Sequence, residues 1–227
     1  VYDAEVNLLG GINLLMASLD TGVRKLIFAS TGGALYGEPE LLPCPEDHPI
    51  RPLSPYGTSK YCFEQYLGTF QRTFGLDYTV LRYANIYGPR QDFQSEEGRV
   101  IAIFASRMIA DQPVRIDGTG EQSRDLLYVS DAAAANLVAL ESGSAQAYNI
   151  GTGVEVSVND VFRRLKELTG YQRKPEFGPS RPGDVFRIAL DPTKAANDLG
   201  WTERVPLEDG LRHTVEYLRT RPELLTA

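Results

Sequence analysis

The chain has 227 residues, 42% of them hydrophobic and 23% charged, which is enough apolar material for one domain or two small ones and too much for wholesale disorder. Its formal net charge of −7 argues against a nucleic-acid surface or an anionic membrane as partner. Two cysteines, Cys44 and Cys62, and two histidines, His48 and His213, lack metal-type spacing, so no disulfide framework and no metal site is expected; no apolar run nears the ~18 residues of a membrane span, and a reducing cytoplasm is the default.

The opening VYDAEVNLLGGINLLMASLD reads as a helix already under way, with Val6, Leu9, Ile12, Leu15, Met16 and Leu19 at helical spacing and Gly22 as its stop. KLIFAS follows as a short buried-type strand, 25–30. A Gly- and Pro-rich loop comes next, long enough to be functional rather than merely connective. Pro55 suits a first helical turn and Ser54 suits its cap. The spacing predicts a helix over 55–74, ended by Gly75, with Phe63, Tyr66, Leu67, Phe70 and Phe74 as its buried stripe. DYTVLRYANIYG begins a second strand of parallel-sheet character, so strand, helix and strand imply a right-handed crossover. Beyond residue 97 the pattern predicts helix 97–111, strand 114–116, helix 130–142, strand 147–150, helix 157–169 capped by Ser157, strand 186–190 and helix 207–219. Residues 171–184, with three prolines, read as a loop.

The stretch SPYGTSKYCFEQYL sets Tyr56 and Lys60 one helical turn apart on one face. A free tyrosine, with a pKa of about 10, is a poor base at neutral pH, and an ammonium one turn away favours its phenolate. Ser30 and Thr31 end the first strand where a loop opens at the carboxyl edge of a parallel sheet, the edge at which open α/β folds bind ligands. A hydroxyl there would complete a proton-transfer site at an alcohol carbon. Alone, Tyr-x-x-x-Lys is a weak pattern whose default meaning is a solvated helix face.

It does not stand alone. FASTGGALYGE, SPYGTSK, LRYANIYGPRQ, GTGEQSRDLLYVSDAA, YNIGTG, RPGD and LDPTKAANDLGW occur in that order. From residue 1 to about residue 219 the chain resembles the extended short-chain dehydrogenase/reductase family, in particular its nucleotide-sugar epimerases and dehydratases. The resemblance implies an α/β fold: the C-terminal part of a Rossmann-type parallel sheet plus a smaller α/β substrate-binding domain. Residues 1–85, with segments of 120–150 returning, would form part of an NAD-binding domain, and 86–227 would mainly bind the nucleotide-sugar.

By the same resemblance Tyr56 is the base, Lys60 also holds the nicotinamide ribose, and Thr31 hydrogen-bonds the sugar 4-hydroxyl. Ala29, Ser30 and Tyr83 complete the cofactor contacts. Asn85, Val100, Arg124, Arg181, Asp184 and Ile188 join Thr31 as substrate contacts, the arginines suiting phosphate oxygens through their bidentate forks. Asn7 resembles the family's Asn-x-x-Gly-Thr helix. The implied reaction is 4-epimerisation of a nucleotide-linked hexose of the UDP-glucose/UDP-galactose kind through a 4-keto sugar, with NAD retained rather than consumed. A dehydratase or 4-keto reductase on the same scaffold, and a non-catalytic nucleotide-sugar-binding module, stay open as alternatives. Gly32 and Gly33 stand where dehydratases usually carry an acid, which favours the epimerase. Asp117 stands where epimerases often have an aromatic beside the uracil, and a β-branched Ile188 favours plain hexoses or uronates. Helix 55–74 is the candidate for pairing two copies. The Gly-x-x-Gly-x-x-Gly fingerprint is missing: Gly10–Gly11 and Gly32–Gly33 lack its spacing. The expectation is therefore a fragment short of roughly 80 to 100 residues of strand–helix units.

Overall fold

A computed structural model describes residues 1–92, 100–180, 184–221 and 223. A π-helical turn at Ala4–Leu9 runs directly into α1 (Gly10–Asp20), and the chain leaves it through Gly22 at φ 71°, a left-handed turn that suits glycine. β1 (Lys25–Thr31) follows, then the one-turn α2 (Gly32–Leu35) and α3 (Pro55–Phe74). The ends of α3 are those the sequence dictates. The Ser54 side chain accepts the Gly57 N–H at 3.1 Å, Pro55 occupies the first turn, and Gly75 closes the helix at φ 74°.

β2 (Asp77–Tyr83) and β3 (Asn85–Tyr87) come next. The chain continues through α4 (Val100–Ile109), β4 (Arg115–Asp117), β5 (Ser123–Arg124), β6 (Leu126–Tyr128), α5 (Val129–Glu141) and β7 (Gln146–Ile150). It ends with β8 (Val156–Ser157), α6 (Val158–Thr169), β9 (Glu176–Gly178), α7 (Thr193–Leu199) and α8 (Leu207–Arg219). Among the described residues the main sheet has the order β1-β2-β7, all parallel, with β1 and β2 in register from Lys25–Asp77 to Thr31–Tyr83. Parallel pairs β3–β6 and β4–β9 and the antiparallel pair β5–β8 lie outside it.

Strand alternation divides the core. Val80 of β2 joins Leu15, Phe63, Leu67 and Phe70 under α1 and α3, whereas its neighbour Leu81 joins Ile150, Ala135 and Trp201 on the opposite side. A third cluster, with Phe104, Phe162, Leu165 and Leu211, unites α4, α6 and α8. No helix among the described residues is long and apolar enough to cross a membrane, and no group of metal-ligating side chains gathers among them.

Three expectations need correction. Residues 186–190 form no strand, because their backbone groups go to separate partners. The Phe186 carbonyl accepts Ser123 N–H at 2.9 Å, the Ala189 carbonyl accepts Cys44 N–H at 2.7 Å, and Leu190 N–H reaches the Asp125 carboxylate at 3.1 Å. The predicted loop 171–184 contains β9, which pairs with β4. Tyr66 and Phe74 are exposed, at 40% and 56%, so the buried stripe of α3 is Phe63, Leu67 and Phe70. Of helix 97–111, residues 97–99 lie outside the described residues.

Phe63 touches the Phe28 ring edge-on at 4.7 Å and closes over Gly11, where a Cβ would strike its ring. Phe63→Ala is expected to cost about 3–5 kcal/mol in urea unfolding, while Phe74→Ala costs less than about 1 kcal/mol. Equal losses at the two positions would restore the longer stripe.

Candidate active site

Lys60 lies one turn into α3, and its Nζ donates to the Ala29 carbonyl at 3.0 Å, 4.9 Å from the Phe28 ring centroid and 5.8 Å from that of Tyr56. The first turn of α3 can come this close to β1 and α2 because residue 57 is glycine: a Cβ there would collide with the Ala34 carbonyl oxygen. Ser59 stitches the same turn to the N-terminal helix. Its Oγ accepts from Asn7 Nδ2 at 3.0 Å and donates to the Tyr56 carbonyl at 2.8 Å. Tyr56 remains 43% exposed.

The charges are arranged differently from the expectation. Burial raises the Tyr56 phenol above the ordinary tyrosine range, and Asp3 adds to the rise. Burial lowers the Lys60 ammonium. The Lys60 proton is directed at a backbone carbonyl, the Ala29 oxygen.

Thr31, half-buried, ends β1 beside Gly33 and Asn85: a Cβ on Gly33 would lie 3.1 Å from Asn85 Oδ1 and 3.9 Å from Thr31 Oγ1. The absence of that carbon leaves a small cradle. Its floor is organised by Asp125, whose carbonyl accepts Asn85 N–H at 2.9 Å. The buried Asp125 carboxylate takes Thr152 N–H at 2.9 Å, Thr152 Oγ1 at 2.8 Å, Gly153 N–H at 3.1 Å and Leu190 N–H at 3.1 Å. Burial pushes this carboxyl up while the four donors pull it down. Leu190 in turn packs over Gly32, where a Cβ would strike its side chain.

Ala29 is exposed at the strand edge, but Ser30 is buried and its hydroxyl donates to Glu64 Oε1 at 2.5 Å. Tyr83 is also buried; its Oη accepts from Asn136 Nδ2 at 2.7 Å, and burial holds its phenol at about 12 against that hydrogen bond.

Farther along the chain, Arg124 and Asp184 meet at 3.2 Å, and Arg124 also donates to the Ser123 carbonyl at 2.8 Å. Asp184 lines a cavity of about 330 Å³ with Asp117, Gly118, Thr119, Gln122, Ser180, Val185 and Phe186. Asp117 accepts from Arg115 Nε at 2.8 Å. Ile188 is 1% exposed and belongs to the core around Leu190, while Val100 is half-buried at the start of α4. Arg181 lies outside the described residues. A larger cavity, about 420 Å³, lies along α3 and the N-terminal helix, lined by Asp3, Leu8, Pro52, Ser59 and Cys62 among others, and includes neither Tyr56 nor Lys60.

The residues that hold this arrangement together, Glu64, Arg82, Tyr36 and Asp125, were not among the sequence-predicted site residues. A signal existed for two of them: Glu64 follows Phe63 in the apolar stripe of α3, one turn past Lys60, and Arg82 sits between Leu81 and Tyr83 in the buried half of β2.

The model of the NAD dependent epimerase/dehydratase family matches residues 1–151. The chain is 45% identical over 219 residues to a putative UDP-glucose 4-epimerase of Methanocaldococcus jannaschii, covering 96% of this chain and 71% of that protein. Among solved structures, the UDP-glucose 4-epimerase of Thermotoga maritima with UDP-glucose superposes with a TM-score of 0.95 at 51% identity, over 96% of this chain and 71% of that one. The UDP-glucose 4-epimerase of Thermus thermophilus in complex with NAD superposes with a TM-score of 0.90 at 45% identity, again over 96% and 71%.

Gly57 and Gly68 lie in the same helix and separate propensity from close approach. In an open helix Gly→Ala gains about 0.8–1 kcal/mol. Gly68→Ala meets only the ends of the Arg72 and Tyr78 side chains, at 3.2 and 3.6 Å, and is expected to be neutral or stabilising. Gly57→Ala meets backbone and is expected to lose about 1–3 kcal/mol in urea unfolding. A stabilised Gly57→Ala would mean that α3 does not press against α2.

Proposed function

The chain belongs to the NAD dependent epimerase/dehydratase family, and from that premise we propose that it inverts C4 of a nucleotide-linked hexose of the UDP-glucose/UDP-galactose kind through a 4-keto sugar, which makes it an isomerase. The observation that carries this reading is that Lys60, one helical turn from Tyr56, is bonded to Ala29, two residues before Thr31 at the carboxyl edge of a parallel sheet.

The residues at this edge fit NAD. The Lys60 ammonium and the exposed Ala29 offer a donor and a surface for a ribose, and the cradle at Gly33 is one a Cβ would fill. Ala29, Ser30, Tyr56, Lys60 and Tyr83 are the residues assigned to hold it. Bound there, NAD supplies the acceptor for the hydride leaving C4 and its donor on return to the opposite face. Tyr56 Oη accepts the 4-hydroxyl proton as C4 is oxidised and gives it back when the ketone is reduced, so the protein ends each turnover unchanged. Thr31 hydrogen-bonds the 4-oxygen and holds it toward Tyr56. Lys60 orients the ribose.

The nucleotide end falls to Arg124, Arg181 and Asp184, with Asn85 and Val100 along the sugar and Ile188 behind them, buried in the core. The Arg124–Asp184 pair at 3.2 Å supports the first assignment, since it aims a guanidinium beside a cavity. Residues 1–85, with parts of 120–150, are assigned to the cofactor side and 86–227 mainly to the substrate side, in keeping with separate cores under the β1-β2-β7 sheet and among α4, α6 and α8. Two free thiols, Cys44 and Cys62, suit a reducing cytoplasm. Two copies pair through helix 55–74, which leaves Tyr66 and Phe74 exposed.

Conversion of UDP-galactose to UDP-glucose by the chain supplied with NAD tests the reaction. Tyr56→Phe is expected to lower kcat by about 10²–10⁴-fold with nucleotide-sugar binding retained. Because burial raises the phenol, the phenolate fraction grows with pH, and kcat/KM should climb from pH 6 to 9 in the parent and stay flat in the variant. A chain that binds NAD yet leaves UDP-hexoses untouched overturns the substrate assignment. For the pairing, Tyr66→Lys combined with Phe74→Lys should convert a sedimenting dimer into a monomer; a monomeric parent removes the proposal.

A further inference from the structure

One rung below Thr31 the molecule keeps two full charges out of water. Ser30 and Arg82 are register partners across β1 and β2, and Glu64 of α3 spans both. Its carboxylate accepts Ser30 Oγ at 2.5 Å, Arg82 Nη2 at 2.7 Å and Arg82 Nε at 3.2 Å. The Glu64 and Arg82 side chains are 5% and 8% exposed. Arg82 Nη1 continues to Tyr36 Oη at 3.0 Å and the Glu46 carbonyl at 3.3 Å, and Tyr36 Oη donates to Asn149 Oδ1 at 2.8 Å.

An apolar pair of the same volume would hold α3 to the sheet at least as firmly, since desolvation offsets the attraction of buried charges. What an apolar pair lacks is direction. A fork with three hydrogen bonds accepts one height and one rotation of the helix that carries it. Glu64 lies one turn beyond Lys60 and two beyond Tyr56, so whatever fixes Glu64 fixes all three along the same helix face. Lys60 to Ala29 and Glu64 to Ser30 then read successive residues of β1, the pair that ends at Thr31.

We propose that Glu64, gripped by Arg82 and Ser30, is the positioning residue of the proton-transfer site: it indexes α3 on the Ser30–Arg82 rung and so sets Tyr56 and Lys60 against Thr31. The chemistry assigned to Tyr56 and Lys60 rests on the epimerase reading; the indexing of the helix does not.

Glu64→Gln tests it, because an amide removes the charge and one of the two acceptor oxygens of the fork: Oε1, which takes both Ser30 Oγ and Arg82 Nε, is lost as an acceptor when the remaining oxygen stays on Arg82 Nη2. The first readout is the Lys60 titration in chain labelled with [ε-13C]lysine, assigned through Lys60→Arg. Glu64 is the only carboxylate of α3, and the neighbours of Lys60 are the Ala29 carbonyl and the Phe28 and Tyr56 rings. Simple loss of a nearby negative charge would move the Lys60 pKa down. Release of the helix from β1 returns the ammonium to water and moves it up. An upward shift supports the proposal; a downward shift or none overturns it.

The second readout is kinetic. Glu64→Gln should lower kcat at least tenfold while KM for UDP-galactose changes less than about twofold. Glu64→Gln combined with Arg82→Gln removes both charges and should recover the melting midpoint without recovering kcat. Recovery of both together would reduce the pair to a structural contact and defeat the proposal. If the single variant fails to fold, the double variant carries both readouts. A parent without UDP-hexose conversion defeats the epimerase reading alone, since the Lys60 titration still reports the position of the helix.

Discussion

The buried fork between Glu64 and Arg82 is the constraint on which the site depends. α3 crosses the β1–β2 pair, and apolar packing through Phe63, Leu67 and Phe70 gives that crossing its adhesion. Adhesion is non-directional, and a helix seated on a smooth apolar face can slide by a fraction of a turn at little cost. The fork removes that freedom, with Ser30, Tyr36 and the Glu46 carbonyl satisfying most of the remaining lone pairs and protons. Arg82 is held far above any pH at which it could lose its proton, because the Glu64 carboxylate and the Tyr36 oxygen outweigh its burial. Arg82 is thus a fixed charge in the frame.

Asp125 solves the same problem with neutral donors. Its carboxylate is as buried as that of Glu64, yet its partners are backbone N–H groups of residues 152, 153 and 190 and the Thr152 hydroxyl. All four are donors, which an ionised carboxylate accepts and a protonated one accepts less well. Because those donors belong to residues 152–153 and to the irregular segment at Leu190, Asp125 supplies the order that a sheet ladder would otherwise provide. This accounts for Ile188 and Leu190 being buried although 186–190 form no strand.

That division explains which parts of the molecule were legible in the sequence. Helix 55–74 was readable to the residue because its signals are local: a cap three residues from its donor, a proline in the first turn, a glycine at the end. β1, β2 and β7 were readable as apolar runs of sufficient length. β5 and β8 have two residues each, and no periodicity can be seen in two residues. The buried face of α3 was overdrawn because Tyr66 and Phe74 fall on the flank of the apolar stripe, where the helical period alone does not separate packed from exposed. Tyr56, Lys60 and Thr31 were visible as chemistry. Glu64 and Arg82 show in the sequence only as charges in apolar surroundings, and only the crossing of α3 over one rung of the sheet makes them a pair.

The same crossing separates position from charge tuning at the candidate base. The i,i+4 spacing of Tyr56 and Lys60 predicts an electrostatic device, an ammonium set to stabilise a phenolate. In the folded chain the ammonium faces the Ala29 carbonyl, burial weakens its hold on its proton, and burial with Asp3 strengthens the hold of Tyr56 on its own. Spacing on a helix fixes which side chains share a face; it does not fix where a flexible four-carbon chain points. What the pattern encodes at this site is therefore placement. Lys60 acts as a strut from α3 to β1, Glu64 sets a second strut one turn on, and Tyr56 stands at the free end of the braced helix, partly exposed while the helix beneath it is held.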